Sequence, residues 1–255
     1  MTFTQAVPAT NRLLDALLHK DREQLLANCE HIELIMGKVL YRAEEVIPHV
    51  YFPTGGFISL VAPVDSKNLE VGLVGNEGIL GITLMLGVDI APFTALVLGA
   101  GSALRITASS FLRILEQSPA LQRELKRYLY VTMSQLAQSA ACTRFHLVEA
   151  RLSRWLLMTQ DRAHSDHIHI THVFLAYMLG IRRVGITKAA NMLQQRNLIS
   201  YQRGDITILD RVGLEATSCG CYRADKEIYE GILGKGGSSL SVATPEFRTL
   251  QPTRT

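Results

Sequence analysis

The chain has 255 residues, 47% hydrophobic and 19% charged. That length suits one large domain or two of about 100–150 residues, and the apolar share excludes a disordered or collagen-like chain. The net charge of +3 hides a split: residues 1–110 carry seven Lys/Arg against eleven Asp/Glu, and residues 111–255 carry nineteen against twelve. An acidic front and a basic back predict two units with different partners, the basic one facing a polyanion.

Residues 1–10 lack a basic start and an apolar run, which reads against a secretory signal and for a cytoplasmic chain. Residues 11–30 place Leu13, Leu14, Leu17, Leu18, Leu25 and Leu26 at helical spacing, with a polar gap near Asp21 that predicts a break into two pieces. From about Ile32 the pattern turns to short β-rich runs, at 38–41, 50–52, 56–62, 70–74, 95–98 and 103–106. Turn residues separate them at intervals of roughly ten, the pattern of an all-β barrel or jelly roll. The most apolar stretch, 71–104, is cut by glycines at 72, 75, 78, 81 and 87 and by Pro92. A spanning helix needs about 20 unbroken apolar residues, so this stretch reads as buried strands and turns. Cys29, Cys142, Cys219 and Cys221 show no CxxC spacing and read as free thiols.

Residues 109–116 and 118–141 then read as helices. Ser118-Pro119 is an N-cap followed by proline at the first helical position. Leu121, Leu125, Leu129, Met133 or Leu136, and Ala140 form a narrow stripe that suits either packing on its own domain or the seam of a two-helix dimer. A further helix is predicted over 146–162, with Trp155 in it. From 234 onward the chain is rich in Gly, Ser, Thr and Pro and is expected to be disordered.

Residues 172–191, HVFLAYMLGIRRVGITKAAN, fit a helix-turn-helix. Ala176 allows close packing, Gly180 suits a turn at positive φ, and Leu175, Leu179, Ile181, Ile186 and Ala189 form the inward face. The outward face of the second helix then shows Arg182, Arg183, Thr187, Lys188 and Asn191. Residues 171–204 contain five Lys/Arg and neither Asp nor Glu. A solvated helical face usually mixes signs, whereas a one-sign face suits phosphate contact. Alternating runs at 197–201 and 206–209 around Gln202-Arg203-Gly204-Asp205 predict a hairpin that acts as a wing and sets Arg203 beside backbone phosphates.

The order of these elements over residues 10–231 resembles the Crp/Fnr (cyclic-AMP-receptor/fumarate-nitrate-reductase) family of transcription regulators. The segments QSAACTRFHLVEARLSRWLLMTQD (138–161) and ITILDRVGLEATSCGCY (206–222) resemble one subgroup especially closely. The resemblance implies an α+β architecture. It has an N-terminal double-stranded β-helix sensor domain over 1–116, a jelly roll of the cyclic-nucleotide-binding kind. A dimerisation helix over 117–142, a winged helix-turn-helix over 143–231 and a tail over 232–255 follow. It further implies a homodimer on a near-palindromic operator in double-stranded DNA, with RNA polymerase as a further partner and no membrane. Arg183 and Lys188 fall on the family's Arg and basic base-reading positions. Val184 stands where an acidic residue that accepts from cytosine N4 is common, so a different operator is expected, with Val184 suited to a thymine methyl.

In cyclic-nucleotide-binding relatives a Gly-Glu pair holds the ribose and an Arg-Ser/Thr-Ala triplet the phosphate. The matching residues are Glu77 and Gly78, then Phe93, Thr94 and Ala95. Phe93 in place of arginine forfeits a charge-assisted contact of about 1.5–3 kcal/mol and reads against cyclic AMP. A core filled by Phe93, with no ligand or a different apolar one, is the preferred reading. An iron–sulfur cluster needs about four thiolates, and the N-terminal region offers only Cys29. His31, His49 and His146 could each ligate haem, but none is singled out. His164, His167, His169 and His172 have a spacing that could hold zinc, yet their polar surroundings favour solvated or phosphate-facing roles and no metal. No G-x-S-x-G, Walker loop or H-E-x-x-H is present, which reads against an enzyme. The competing reading is a cupin-like, metal-dependent small-molecule-binding barrel with a non-functional helical appendage. The acid-free stretch favours the regulator.

Overall fold

The computed structural model describes residues 10–65 and 67–234. Asn11 opens the fold. Its amide oxygen accepts from the Leu13 and Leu14 backbone N–H groups, and its amide nitrogen donates to the Pro53 and Gly78 carbonyls. This one buried side chain starts α1 (Arg12–Asp15) and ties it to the sheet beneath. The break before α2 (His19–Leu26) falls at residues 16–18, not near Asp21 as the polar gap predicts. Asp21 sits in the first turn of α2, where a negative charge is favoured, and accepts a 2.5 Å bond from the Ser118 hydroxyl.

The strands are β1 (Glu30–Leu34), β2 (Val39–Tyr41), β3 (His49–Val64), β4 (Lys67–Val74) and β5 (Thr94–Thr107), with a 3₁₀ turn at Ile82–Leu86 before β5. They form one antiparallel sheet in the order β1-β5-β3-β4, with β2 also on β5. The runs expected at 50–52 and 56–62 are one long strand, as are those at 95–98 and 103–106. The glycines between them are bends, not turns: β3 and β5 stay paired across them with shifted register. Gly56 has φ +73°, and a Cβ there would drive into the Gly99 and Ala100 carbonyls. The two paired strands come close where only glycine allows the approach, which is how a sheet bends into a roll.

Helix α3 (Ala108–Gln117) is capped by Thr107 and α4 (Pro119–Phe145) by Ser118, whose hydroxyl accepts from the Leu121 N–H with Pro119 next in line. The predicted stripe of α4 divides. Leu121 and Leu125 are buried in the β-roll core with Phe52 and Phe111, while further along Tyr130 and Met133 are 52% and 61% exposed.

The second unit comprises α5 (Val148–Ala163), β6 (His167–His169), α6 (His172–Met178), α7 (Arg183–Gln195), β7 (Ile199–Gln202), β8 (Asp205–Ile208), α8 (Arg211–Thr217) and α9 (Cys221–Leu233). Its core gathers Leu152, Leu156, Leu175, Ile186, Leu193, Ile206 and Leu214. Helix α9 returns to α4, where the Arg127 guanidinium donates to the Ile232 carbonyl. Ile232 and Leu233, expected in the tail, are helical; residues 235–255 lie outside the described residues.

Helix α5 makes further contacts with the sheet. Phe57, Leu73 and Leu98 of the sheet share a core with Trp155 and Leu156 of α5. Arg162 of α5 forms a buried 2.7 Å ion pair with Glu77. Trp155 Nε1 donates to Glu70 Oε1 and Ser59 Oγ to Glu70 Oε2, both at 2.7 Å. Burial pushes the Glu70 carboxyl up to about 7, against the hydrogen bonds from Ser59 and Trp155 that favour its charge. Since an ordinary Glu titrates near 4.3, its contribution to stability is full below that value and is lost as pH rises through about 7. Glu70→Gln mimics the neutral acid. Wild type is expected to lose thermal stability relative to Glu70→Gln between about pH 5 and 8, measured as melting midpoints of both chains. Parallel curves would contradict the assignment.

Candidate nucleic-acid interface

Thr171 caps α6 by accepting from the Phe174 N–H at 3.2 Å. Leu175, Ala176 and Leu179 are buried, and Gly180 turns the chain at φ +63° so that the Ile181 N–H returns to the Ala176 carbonyl at 3.0 Å. Arg182 is extended and α7 starts at Arg183 with no side chain capping it, which leaves its first N–H groups open to an anion. Ile186, Ala189, Ala190 and Leu193 form the buried face of α7. Arg182, Arg183, Val184, Lys188 and Asn191 stand exposed on the other, Val184 at 62%.

Thr187 departs from the outward reading. It is half-buried, its hydroxyl donates to the Arg183 carbonyl at 3.1 Å, and His172 Nδ1 lies 3.2 Å from the same oxygen. The His172 ring stacks on Tyr201 with centroids 3.9 Å apart. Burial, then the Arg183 charge, lowers the His172 pKa, so the ring is neutral at pH 7. This set ties α6, α7 and the wing together at a fixed angle. The wing is a hairpin in which Gln202 pairs with Asp205, and its two loop residues, Arg203 and Gly204, both have positive φ (51° and 95°). That loop twists as the strands do and holds Arg203 exposed at the tip. Strand β6 adds a third member, on which His169 lies 2.7 Å from Asp205 and His167 3.0 Å from Thr207.

Of the five cations in 171–204, Arg196 is paired with Glu149 at 3.0 Å. Among the described residues, no carboxylate lies within 4.0 Å of Arg182, Arg183, Lys188 or Arg203.

The cassette residues in the β-roll do not converge. Glu77 is held by Arg162, and Gly78 packs under the Tyr128 hydroxyl with its carbonyl held by Asn11. The Thr94 hydroxyl accepts from the Ala43 N–H, and Ala95 is fully buried. Phe93 alone lines a cavity of about 200 Å³, with Tyr41, Leu60, Leu80, Tyr128 and Leu136, and no Lys or Arg borders it.

Cysteines that look scattered in sequence meet in space. The ligand atoms of Cys142, His146, Cys219 and Cys221 all lie within 4.8 Å of one another. The one local signal was Cys142 and His146 four apart at the end of a helix, with Cys219 and Cys221 two apart.

The Crp-like helix-turn-helix domain family matches residues 150–217, from within α5 to the end of α8. Residues 150–217 therefore carry a Crp-like helix-turn-helix domain. Solved structures share its fold. One, from Eubacterium rectale and assigned to the Crp/Fnr family, has a TM-score of 0.64 at 17% identity, covering 80% of this chain and 96% of its own. FixK2 from Bradyrhizobium japonicum gives 0.63 at 13%, covering 75% and 98%. The c-di-GMP-responsive global regulator CLP from Xanthomonas campestris gives 0.61 at 15%, covering 74% and 98%. No curated protein matches the chain in sequence. At 13–17% identity, what these structures share with this chain is the fold. Among the described residues, no helix is long and apolar enough to cross a membrane.

Gly180→Ala tests the turn on which the α6–α7 geometry rests. A side chain at φ +63° strains the backbone, and its Cβ meets Leu69. A stability loss of about 1–2 kcal/mol is expected in urea unfolding. An unchanged midpoint would show that the turn tolerates the residue.

Proposed function

We propose that α7 enters the major groove of duplex DNA, with Arg183 and Lys188 reaching base edges or phosphates and Arg203 of the wing set on the backbone. The observation that carries this reading is the unpaired, one-sign face of α7 and its wing, formed on a helix whose opposite face is fully committed to the core. Arg182 and Asn191 flank the reading positions. Val184 offers a methyl-bearing surface suited to a thymine methyl. Thr187 serves by fixing the helix rather than by reaching out.

The regulator acts as a homodimer through α4. Beyond Leu125 that helix shows Tyr130, Met133, Ala137 and Ala140 to solvent, and Phe145 and Leu147 at its end are 76% and 82% exposed. Two copies present two α7 helices to half-sites about 34 Å apart. RNA polymerase in the cytoplasm is the partner through which such a dimer acts on transcription. The cavity beside Phe93 and α4 suits a small apolar effector. An anionic nucleotide there would have no Lys or Arg to pair with.

Arg183→Ala is expected to cost about 1–3 kcal/mol on the preferred duplex and relax preference at one base pair, read by binding selection from a random-sequence pool. An unaltered preference would remove Arg183 from base reading. Arg203→Ala should instead weaken every duplex alike. A loss confined to one sequence in the same titration would contradict the wing's role.

A further inference from the structure

Where α4 ends, the regulator has a small core of an unusual kind. It consists of Cys142, Cys219 and Cys221, with half-buried Ala150 against them and no Leu, Ile, Val or Phe among its described members. All three cysteines are buried free thiols. Cys142 lies on the last turns of α4, and His146 is the residue that ends the helix. Cys219 and Cys221 flank Gly220 at the junction of α8 and α9. Cys142 Sγ is 3.5 Å from Cys219 Sγ, and Cys221 Sγ is 3.5 Å from His146 Nδ1.

These separations match the edges of a tetrahedron around one ion. Bonds of about 2.3 Å to sulfur and 2.0–2.1 Å to nitrogen set neighbouring donors roughly 3.5–3.8 Å apart. We propose that Cys142, His146, Cys219 and Cys221 form a closed Cys₃His site for a single zinc-class divalent ion, which fastens the α8–α9 junction to the hinge between α4 and α5. Four protein donors leave no open position, so the ion is structural, not catalytic. Three thiolates around a 2+ ion leave one negative charge, and each thiol gives its proton to solvent on binding. The surroundings suit that charge. Gln138 Nε2 donates to Cys221 Sγ at 2.9 Å. Arg151 and Arg154 border the same pocket as Cys142, and Arg154 Nε is buried with no hydrogen-bond partner. The hinge is only His146 and Leu147, both extended, so an ion there holds the DNA-binding unit at a set angle to α4.

The test uses the full chain without DNA, so it is independent of the DNA-binding reading. Chain purified under reducing conditions without chelator is expected to carry about one zinc per chain by elemental mass spectrometry. After stripping, cobalt(II) should give thiolate-to-metal charge-transfer bands and the visible bands of a tetrahedral ion. Cys29→Ser should leave both unchanged. His146→Ala, at an exposed position with the three thiols intact, should bind cobalt at least tenfold more weakly. Cys219→Ser should reduce the charge-transfer intensity by about a third or abolish binding. The proposal is overturned if reduced, folded wild type carries no metal and gives no cobalt bands. It is equally overturned if the bands are octahedral and indifferent to Cys219→Ser, or if the native chain holds a Cys142–Cys219 disulfide.

Discussion

Four cations on α7, the turn before it and the wing, Arg182, Arg183, Lys188 and Arg203, stand exposed with no carboxylate to pair with among the described residues. Like charges on one surface repel, and a folded chain bears that cost where a polyanion relieves it. The rest of the second unit keeps these cations in place. Gly180 sets the turn, the buried face of α7 fixes its rotation, and the Thr187–His172–Tyr201 set locks helix to wing. The fifth cation of the stretch, Arg196, is paired with Glu149.

The β-roll is coupled to this surface through α5. Glu77 and Glu70, both on the roll, meet Arg162 and Trp155 on one helix. Glu77 is thereby drawn away from the cavity that Phe93 lines, and that cavity is left apolar, bordered by α4. A ligand entering it would press on Leu129, Met133 and Leu136, the part of α4 that also faces outward. The apolar cavity, the exposed apolar stretch and the hinge thus lie along a single helix, α4.

The helix-turn-helix was legible because its signals are local. Ala176, Gly180 and the apolar positions of α7 fall within twenty residues, and charge of one sign is visible without a structure. The strands were legible in kind but not in length. Gly55, Gly56 and Gly99 look like turn residues, and only the continuous pairing of β3 with β5 shows that they are bends. The role of Glu77 was hidden because its partner Arg162 lies in the other unit. Asp21 misled because a polar residue between leucines can start a helix as well as break one. The thiol-histidine cluster escaped because its halves are far apart in sequence and neither has a familiar metal spacing.

A face of one sign with no partner of its own among the described residues would meet phosphates by simple electrostatics. The most direct test is the affinity of the wild-type chain for a fixed duplex across salt concentrations, read by fluorescence anisotropy. Four free cations predict a log–log line falling with a slope of roughly −3 to −4 per chain, at about −0.9 per phosphate contact. A slope near zero, or no binding at low salt, would contradict the account.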